Sequence, residues 1–255
     1  MSTTQTRKAI AAAPRTSALD RSTAMRLAAT EYGRFLAQLR ALTAADWAKE
    51  TDCPGWDVRA LASHVLGMAE MSASIRQQLH QMRAARRRGG VFIDALTWVQ
   101  VEERADLGPA EVIARFAAVG PRAVRGRRRT PGFLRRRAMP VEQPVGDRVE
   151  PWSFGFLVDV VLTRDTWMHR VDIARGTGQE PELTAEHDGV LVADVVAEWA
   201  TRHGQPCALT LTGPAGGLWS WGTGGPSLHL DAVEFCRLVS GRGVGEALLG
   251  VQVPF

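Results

Sequence analysis

Three residues of this 255-residue chain have types and positions suited to gripping a divalent metal ion: His64, Asp165 and His169. Asp165 and His169 are four apart, so on a helix they stand one turn above each other on one face. They continue an apolar seam (Val158, Val161, Leu162, Asp165, Met168, His169, Asp172) with the 3–4 spacing of a buried stripe. His64 shares a face with Leu61, Val65 and Met68 and is likewise aimed at a core. A carboxylate buried without a partner costs several kcal/mol, so such groups are paired or coordinate metals. Two imidazoles and an acid with a fourth corner left free form the donor set of a catalytic zinc site. Two plainer readings stay open at this point. A lone histidine on an apolar stripe is often a hydrogen-bonded core residue, and Asp165 could be paired with one of the chain's many arginines.

The elements that must position these residues are helices. Ser22 to Leu42 repeats apolar residues at helical spacing (Met25, Ala28, Ala29, Tyr32, Phe35, Leu36, Leu39). Thr51 to Gly55 reads as a loop punctuated by Pro54 and Gly55, with Asp57 in the first turn of the helix that follows. That helix is expected to run unbroken from Trp56 to about Arg87, where Gly89-Gly90 ends it. Val91 to Asp106 and Pro109 to Arg125 follow as one broken helix or two. Gly126 to Pro151 is expected to be a long loop, and Ser153 to Arg175 the helix that carries Asp165 and His169. Arg164, Thr166 and Arg170 fall off its apolar stripe and are expected to be solvated.

The character changes after Gly176–Leu183, whose glycines and Pro181 suggest a linker. A helix over Thr184–His203 leads into three short strand-like runs, Cys207–Thr212, Gly217–Trp221 and Ser227–Leu230. Asp231 is placed to cap a last helix, Ala232–Ser240, and Val251–Phe255 reads as a final strand. The expected organisation is a tail over residues 1–17, a helical bundle over 18–177 and a small α+β domain over 183–255.

Composition narrows the class of protein. With 45% hydrophobic and 23% charged residues the chain is globular in character, and no apolar run reaches the length of a membrane span. Met1–Ser17 lacks an apolar stretch of the secretory kind and is expected to be disordered. Cys53, Cys207 and Cys236 form no CxxC pair and no disulfide framework, which fits a reducing, cytoplasmic setting. The net charge is +4, carried almost wholly by arginine, since Lys8 and Lys49 are the only lysines. Eight arginines crowd into Arg122–Arg137 with no acid among them.

Two segments carry a family resemblance. Trp47…Thr51-Asp52-Cys53-Pro54-Gly55-Trp56-Asp57-Val58-Arg59…His64-Val65-Leu66-Gly67 resembles the N-terminal signature of the mycothiol-dependent maleylpyruvate isomerase family, within the DinB-like superfamily of metal-binding four-helix bundles. Arg164-Asp165-Thr166-Trp167-Met168-His169-Arg170-Val171-Asp172-Ile173-Ala174 is similar to its second signature, and the C-terminal part resembles that family's sterol-carrier-protein-like domain. The resemblance implies a zinc or other divalent ion on His64, Asp165 and His169, with mycothiol as thiol cofactor. A metal-bound thiol is deprotonated and attacks an electrophile, in an isomerase or an S-transferase. Asp165 stands where the isomerases typically carry glutamate. Asp172 is implied as an acceptor that fixes an imidazole, or else is a helix-surface acid near Arg175. Arg242 is the candidate to contact substrate or cofactor carboxylates from the second domain.

Other signals lead elsewhere or nowhere. Cys53 sits at a helix start but is coupled to no obvious base, and is read as a packing residue. Gly241-Arg242-Gly243-Val244-Gly245 follows a helix, which argues against a dinucleotide loop. His80, His187, His203 and His229 show no ligand spacing. The expected partners are a small-molecule substrate and a thiol, with no membrane and with nucleic acid disfavoured because only Phe133 interleaves the arginines. The rival reading is a regulatory or binding protein on the same bundle, using the arginine-rich loop as its contact surface.

Overall fold

Asp20 starts the first helix of the chain: its carboxylate accepts from the amides of Ser22 and Thr23 at 2.9 and 3.0 Å, filling donors that a helix N-terminus leaves free. In the computed structural model, which describes residues 13–255, this helix, α1 (Arg21–Ala41), packs in a four-helix ring. Its companions are α2 (Val58–Ala73), α5 (Pro109–Arg129) and α8 (Leu162–Thr177), with contacts running α1 to α5, α5 to α2, α2 to α8 and α8 back to α1. An apolar core fills the ring, including Tyr32, Phe35, Leu61, Val65, Phe116 and Ile173. Gly126 is where α5 comes closest to α2; a Cβ there would stand 2.0 Å from the Ser72 carbonyl oxygen.

The expected helix over Trp56–Arg87 is in fact two. Ser74 is extended (φ −148°, ψ 121°), and its Oγ accepts from Gln77 N at 3.4 Å, so α2 stops and α3 (Ile75–Arg88) starts in a new direction. Gly89 and Gly90, both with φ of 78°, end α3 as expected, and α4 (Phe92–Glu102) returns alongside it. The expected loop over Gly126–Pro151 is also corrected. Helix α5 continues to Arg129, α6 (Gly132–Arg135) follows, and β1 (Gln143–Val145) pairs with β2 (Arg148–Glu150) as an antiparallel hairpin. Most of the tail expected to be disordered lies outside the described residues. Its end does not fit that expectation, because Arg15 bonds to the Pro151 carbonyl through its backbone (2.8 Å) and to Glu150 through its guanidinium (3.2 Å).

The approach to α8 is irregular. Ser153 caps a short turn, α7 (Phe154–Phe156), and a π-helical turn over Leu157–Val161 precedes α8 itself. Arg127 fills the disturbed ladder by donating to the Val158 carbonyl at 2.7 Å. Helix α8 is buried on nearly every side, which corrects the expectation that Arg164, Thr166 and Arg170 are solvated. The reason is that the C-terminal third of the chain packs on the face away from the ring. Arg164 pairs with Asp194 at 2.6 Å and Glu198 at 2.7 Å, and Arg170 with Glu31 at 2.8 Å and Asp188 at 2.6 Å.

That C-terminal third holds α9 (Val190–His203), entered through a π turn over Ala185–Gly189, and a three-stranded sheet. The sheet's order is β4 (Gly217–Trp221), β3 (Cys207–Thr212), β5 (Ser227–Asp231), with β4 antiparallel and β5 parallel to β3. Asp231 caps α10 (Ala232–Val239) as anticipated, accepting from Val233 and Glu234 amides. Val251–Phe255 forms no strand; within it Val253 N bonds to the Val239 carbonyl at 2.8 Å. Leu27 on α1 and Trp167, Met168 and Val171 on α8 share one apolar cluster with α9, β3 and α10. No described helix is long and apolar enough to cross a membrane.

Candidate metal centre

The loop before α2 is folded by its own hydrogen bonds. Thr51 N and Oγ1 both donate to the Trp56 carbonyl (3.1 and 3.0 Å), and Trp56 N donates to the Cys53 carbonyl at 3.0 Å. Gly55 takes the left-handed conformation (φ 80°) that this tight turn needs. Asp57 then caps α2, accepting from Ala60 N at 2.7 Å. With the helix start fixed, His64 falls two turns in, on the face toward α8, and the Trp56 ring lies 5.3 Å from its imidazole.

Helix α8 brings Asp165 and His169 to the same place. His64 Nε2 is 3.6 Å from Asp165 Oδ2, and His169 Nε2 is 3.5 Å from Asp165 Oδ1. The two imidazoles meet edge to face, with ring centres 5.2 Å apart. One ligand atom from each of the three residues lies within 4.8 Å of the other two. Both histidines are buried, each 5% exposed. Asp165 Oδ2 and His64 Nδ1 are buried with no hydrogen-bond partner among the described residues. Separations of 3.5–3.6 Å are long for hydrogen bonds. They are close to the edge of about 3.4 Å between neighbouring ligands of a tetrahedral ion with bonds near 2.1 Å. The donor set and the unpartnered carboxylate oxygen therefore fit a divalent metal.

The other side of the His169 ring is held from the chain's far end. His169 Nδ1 is 3.0 Å from Asp172 Oδ2, one turn along α8. Arg242 donates to both oxygens of Asp172, from Nε at 2.8 and 3.1 Å and from Nη2 at 2.9 Å. Asp172 is fully buried, so the alternative of a surface acid near Arg175 does not hold; Arg175 instead pairs with Asp52 at 2.7 Å. Arg242, expected at substrate or cofactor carboxylates, spends its guanidinium on Asp172 and keeps 17% of its side chain exposed. Cys53 was not recognised as part of this group. Its thiol donates to Asp172 Oδ2 at 3.3 Å and lies 3.8 Å from His169 Nδ1 and 3.9 Å from Arg242 Nη2.

The electrostatics follow from this crowding. Burial opposes ionisation of Asp165, but the imidazoles of His169 and His64 outweigh it and hold the carboxyl well below the usual carboxylate range. Burial equally opposes a charge on His169, yet Asp165 on one side and Asp172 and Cys53 on the other lift it well above its ordinary value. Asp172 is lowered, since His169 and Arg242 overcome its burial. Without an ion, His169 carries the proton of this site at neutral pH.

Residues 28–174, more than half of the chain, match the profile of the Mycothiol maleylpyruvate isomerase N-terminal domain. The chain belongs to this family. The match covers His64, Asp165, His169 and Asp172 and ends before Arg242. Among curated proteins it is similar to the uncharacterized proteins Rv0036c and MT0041 of two Mycobacterium tuberculosis strains. Both are 27% identical to it over 244 residues, covering 82% of this chain and 86% of theirs. Among solved structures it is similar to the mycothiol-dependent maleylpyruvate isomerase (TM-score 0.54) and to a mutant of that enzyme (TM-score 0.56). In each the identity is 16%, over 88% of this chain and 90% of the other. At that identity the likeness is one of fold: a helix-rich chain with small sheets.

Proposed function

We propose that this family member is a metal- and thiol-dependent enzyme that processes a small electrophile, of the isomerase or S-transferase type. The observation that carries the reading is the trio of buried His64, half-buried Asp165 and buried His169, whose ligand atoms gather within 4.8 Å while a buried carboxylate oxygen is left without a partner among the described residues. Two imidazoles and an acid are the protein ligands, zinc is the preferred ion for such a set, and mycothiol is the thiol named by the family. A divalent ion held there supplies one thing: it lowers the pKa of a thiol at its free corner so that the sulfur is a nucleophile at neutral pH.

The chain's own residues do the rest. Asp172 holds the His169 ring by its Nδ1 edge, which keeps Nε2 turned to Asp165 and His64. Arg242 fixes Asp172 and presents its remaining exposed edge from the C-terminal part, where it can meet an anionic group of substrate or cofactor. Trp56 lies against both imidazoles, 5.3 and 6.3 Å between ring centres, and shields them from water. We read the ring of α1, α2, α5 and α8 as a DinB-like bundle over 18–177, and 183–255 as the sterol-carrier-protein-like part. The neighbours' names support the thiol chemistry; the choice of substrate is left to assay.

The test is metal content followed by thiol titration. The purified protein is expected to hold one zinc per chain and to bind a low-molecular-weight thiol saturably. In His64→Ala both the zinc and the thiol binding are expected to be lost while the circular dichroism stays unchanged. Full thiol binding by metal-free protein, or unaltered zinc affinity in the variant, would overturn the proposal.

A further inference from the structure

Helix α3 lies outside the four-helix ring and packs chiefly on α4 and α2. Its inner side is anchored by Gln81, which donates to the Gly67 carbonyl at 3.0 Å and accepts from Gln100 at 3.0 Å, and by Ala85 in a small apolar cluster with Ala95 and Leu96. Its outer side is unusual in content. At about 100° per residue, Ile75, Arg76, Leu79, Arg83, Arg86 and Arg87 fall within one arc of about 120°, opposite Gln81 and Ala85. All six are exposed, Ile75 at 76% and Leu79 at 47%. The helix contains no acid. None of these four arginines makes an ion pair among the described residues; the nearby His80 takes Glu103, and Arg88 stacks on the Trp98 ring. The start of α4 exposes two more apolar side chains, Val91 just before it at 56% and Ile93 in its first turn at 41%.

We propose that this outer face of α3 is a docking surface for an anionic lipid membrane, on which the protein rests without crossing. The pattern is that of an interfacial helix: arginines to meet phosphate headgroups, with aliphatic side chains among them to enter the acyl boundary. Unpaired guanidiniums call for a partner rich in negative charge, and the fork of arginine suits phosphate. The aliphatic residues decide between phosphate-bearing partners. Ile75 and Leu79 match an acyl boundary better than a nucleic-acid backbone, whose phosphates take charge and hydrogen bonds, and the arc carries no aromatic residue on which a base could stack. No described helix is long and apolar enough to cross a membrane, and a peripheral contact needs none.

The test is co-sedimentation of the full-length protein with vesicles of phosphatidylcholine alone or with about a third phosphatidylglycerol. Binding to the anionic vesicles is expected to be at least tenfold tighter. Each arginine near such a surface contributes about fivefold, so the triple reversal Arg83→Glu, Arg86→Glu, Arg87→Glu is expected to weaken binding by about a hundredfold. The pair Ile75→Ser, Leu79→Ser is expected to remove the binding that persists at about 0.5 M salt, where charge is screened. Thermal melts of both variants should match the parent, because all five positions are exposed. Equal binding to both vesicle types would overturn the proposal. So would an aliphatic pair variant with unchanged binding, together with a DNA duplex that competes as well as the vesicles do; that result would assign the face to nucleic acid.

Discussion

Two buried clusters in this molecule are built from nearly the same side chains and have opposite fates. His64, Asp165 and His169 stand between α2 and α8; Glu31, His187 and Asp188 stand between α1, α8 and the turn before α9. Both bring imidazole and carboxylate atoms within 4.8 Å of one another. In the second, arginine already supplies the positive charge. Arg170 donates to Glu31 and Asp188, Arg34 pairs with Asp188, Trp167 Nε1 donates to Asp188 at 2.9 Å, and His187 Nε2 meets Glu31 Oε2 at 2.7 Å. In the first, no arginine among the described residues pairs with Asp165, and its imidazole neighbours stand at 3.5 and 3.6 Å, long for hydrogen bonds. The lesson is that donor count does not make a candidate metal site; what sets this cluster apart is that its positive charge is an exchangeable proton on His169 and not a permanent guanidinium.

The largest effects should separate the clusters cleanly. Removing the guanidinium by Arg170→Ala leaves Glu31 buried with the His187 imidazole alone as partner, which costs about 3 kcal/mol of folding stability. The denaturation midpoint of the metal-free protein is expected to fall accordingly. The reciprocal change, His169→Ala, is expected to lower the stability of the metal-free protein by less than Arg170→Ala does, because Asp172 keeps Arg242 and Asp165 is partly open to solvent, and to weaken zinc by a hundredfold or more. That figure follows from sharing about 10–16 kcal/mol of zinc binding among four ligands. If His169→Ala unfolded the protein, or Arg170→Ala weakened zinc in still-folded protein, the two clusters would not be the separate structural and functional units described above.

The comparison also shows what the sequence can and cannot disclose. The seam of Val161, Leu162, Asp165, Met168 and His169 is a local pattern, so the face of α8 that brings Asp165 and His169 to His64 was legible from spacing. The opposite face was not. Arg170 is buried because Glu31, 139 residues away, and Asp188 come to meet it, and no local pattern marks that. The same holds for Cys53, Asp172 and Arg242, which span 189 residues from first to last. The break at Ser74 is different, since Ser74-Ile75-Arg76-Gln77 carries the serine and the glutamine three residues on that mark a helix start. There the signal was present, and the strong helical period on both sides masked it. The π turn over Leu157–Val161 has no comparable mark; it is stabilised by Arg127 from a distant helix. Burial is therefore predictable where one helix face meets a core, and unpredictable where two layers sandwich a helix.

A smaller effect probes the support behind the open cluster. Asp172→Asn keeps the shape of the side chain but removes the charge that His169 and Arg242 share. Loss of such an outer partner weakens a metal by about 10–100-fold. The expected result is intermediate between the parent and His169→Ala, with zinc stoichiometry still one per chain at saturating metal. An unchanged affinity would reduce Asp172 and Arg242 to a structural tie between the helical ring and the C-terminal part.

The smallest effect is a single proton. In the absence of an ion, His169 is held protonated above its ordinary range, with Asp165 ionised beside it. Because its folded pKa lies above the unfolded value, this proton stabilises the metal-free fold fully below about pH 6.5, and the contribution disappears as pH rises through the raised value. A metal needs the neutral imidazole, so zinc must expel the proton. Calorimetric titration at pH 7 in buffers of different ionisation enthalpy should therefore report about one proton released per zinc from this ring. The logarithm of the affinity should rise with a slope near one per pH unit until the raised pKa is passed. In the other cluster Arg34 and Arg170 can make no such exchange, since a guanidinium stays charged throughout this range. A proton count of zero would mean that His169 already waits in its neutral form, and that burial outweighs Asp165 and Asp172 together.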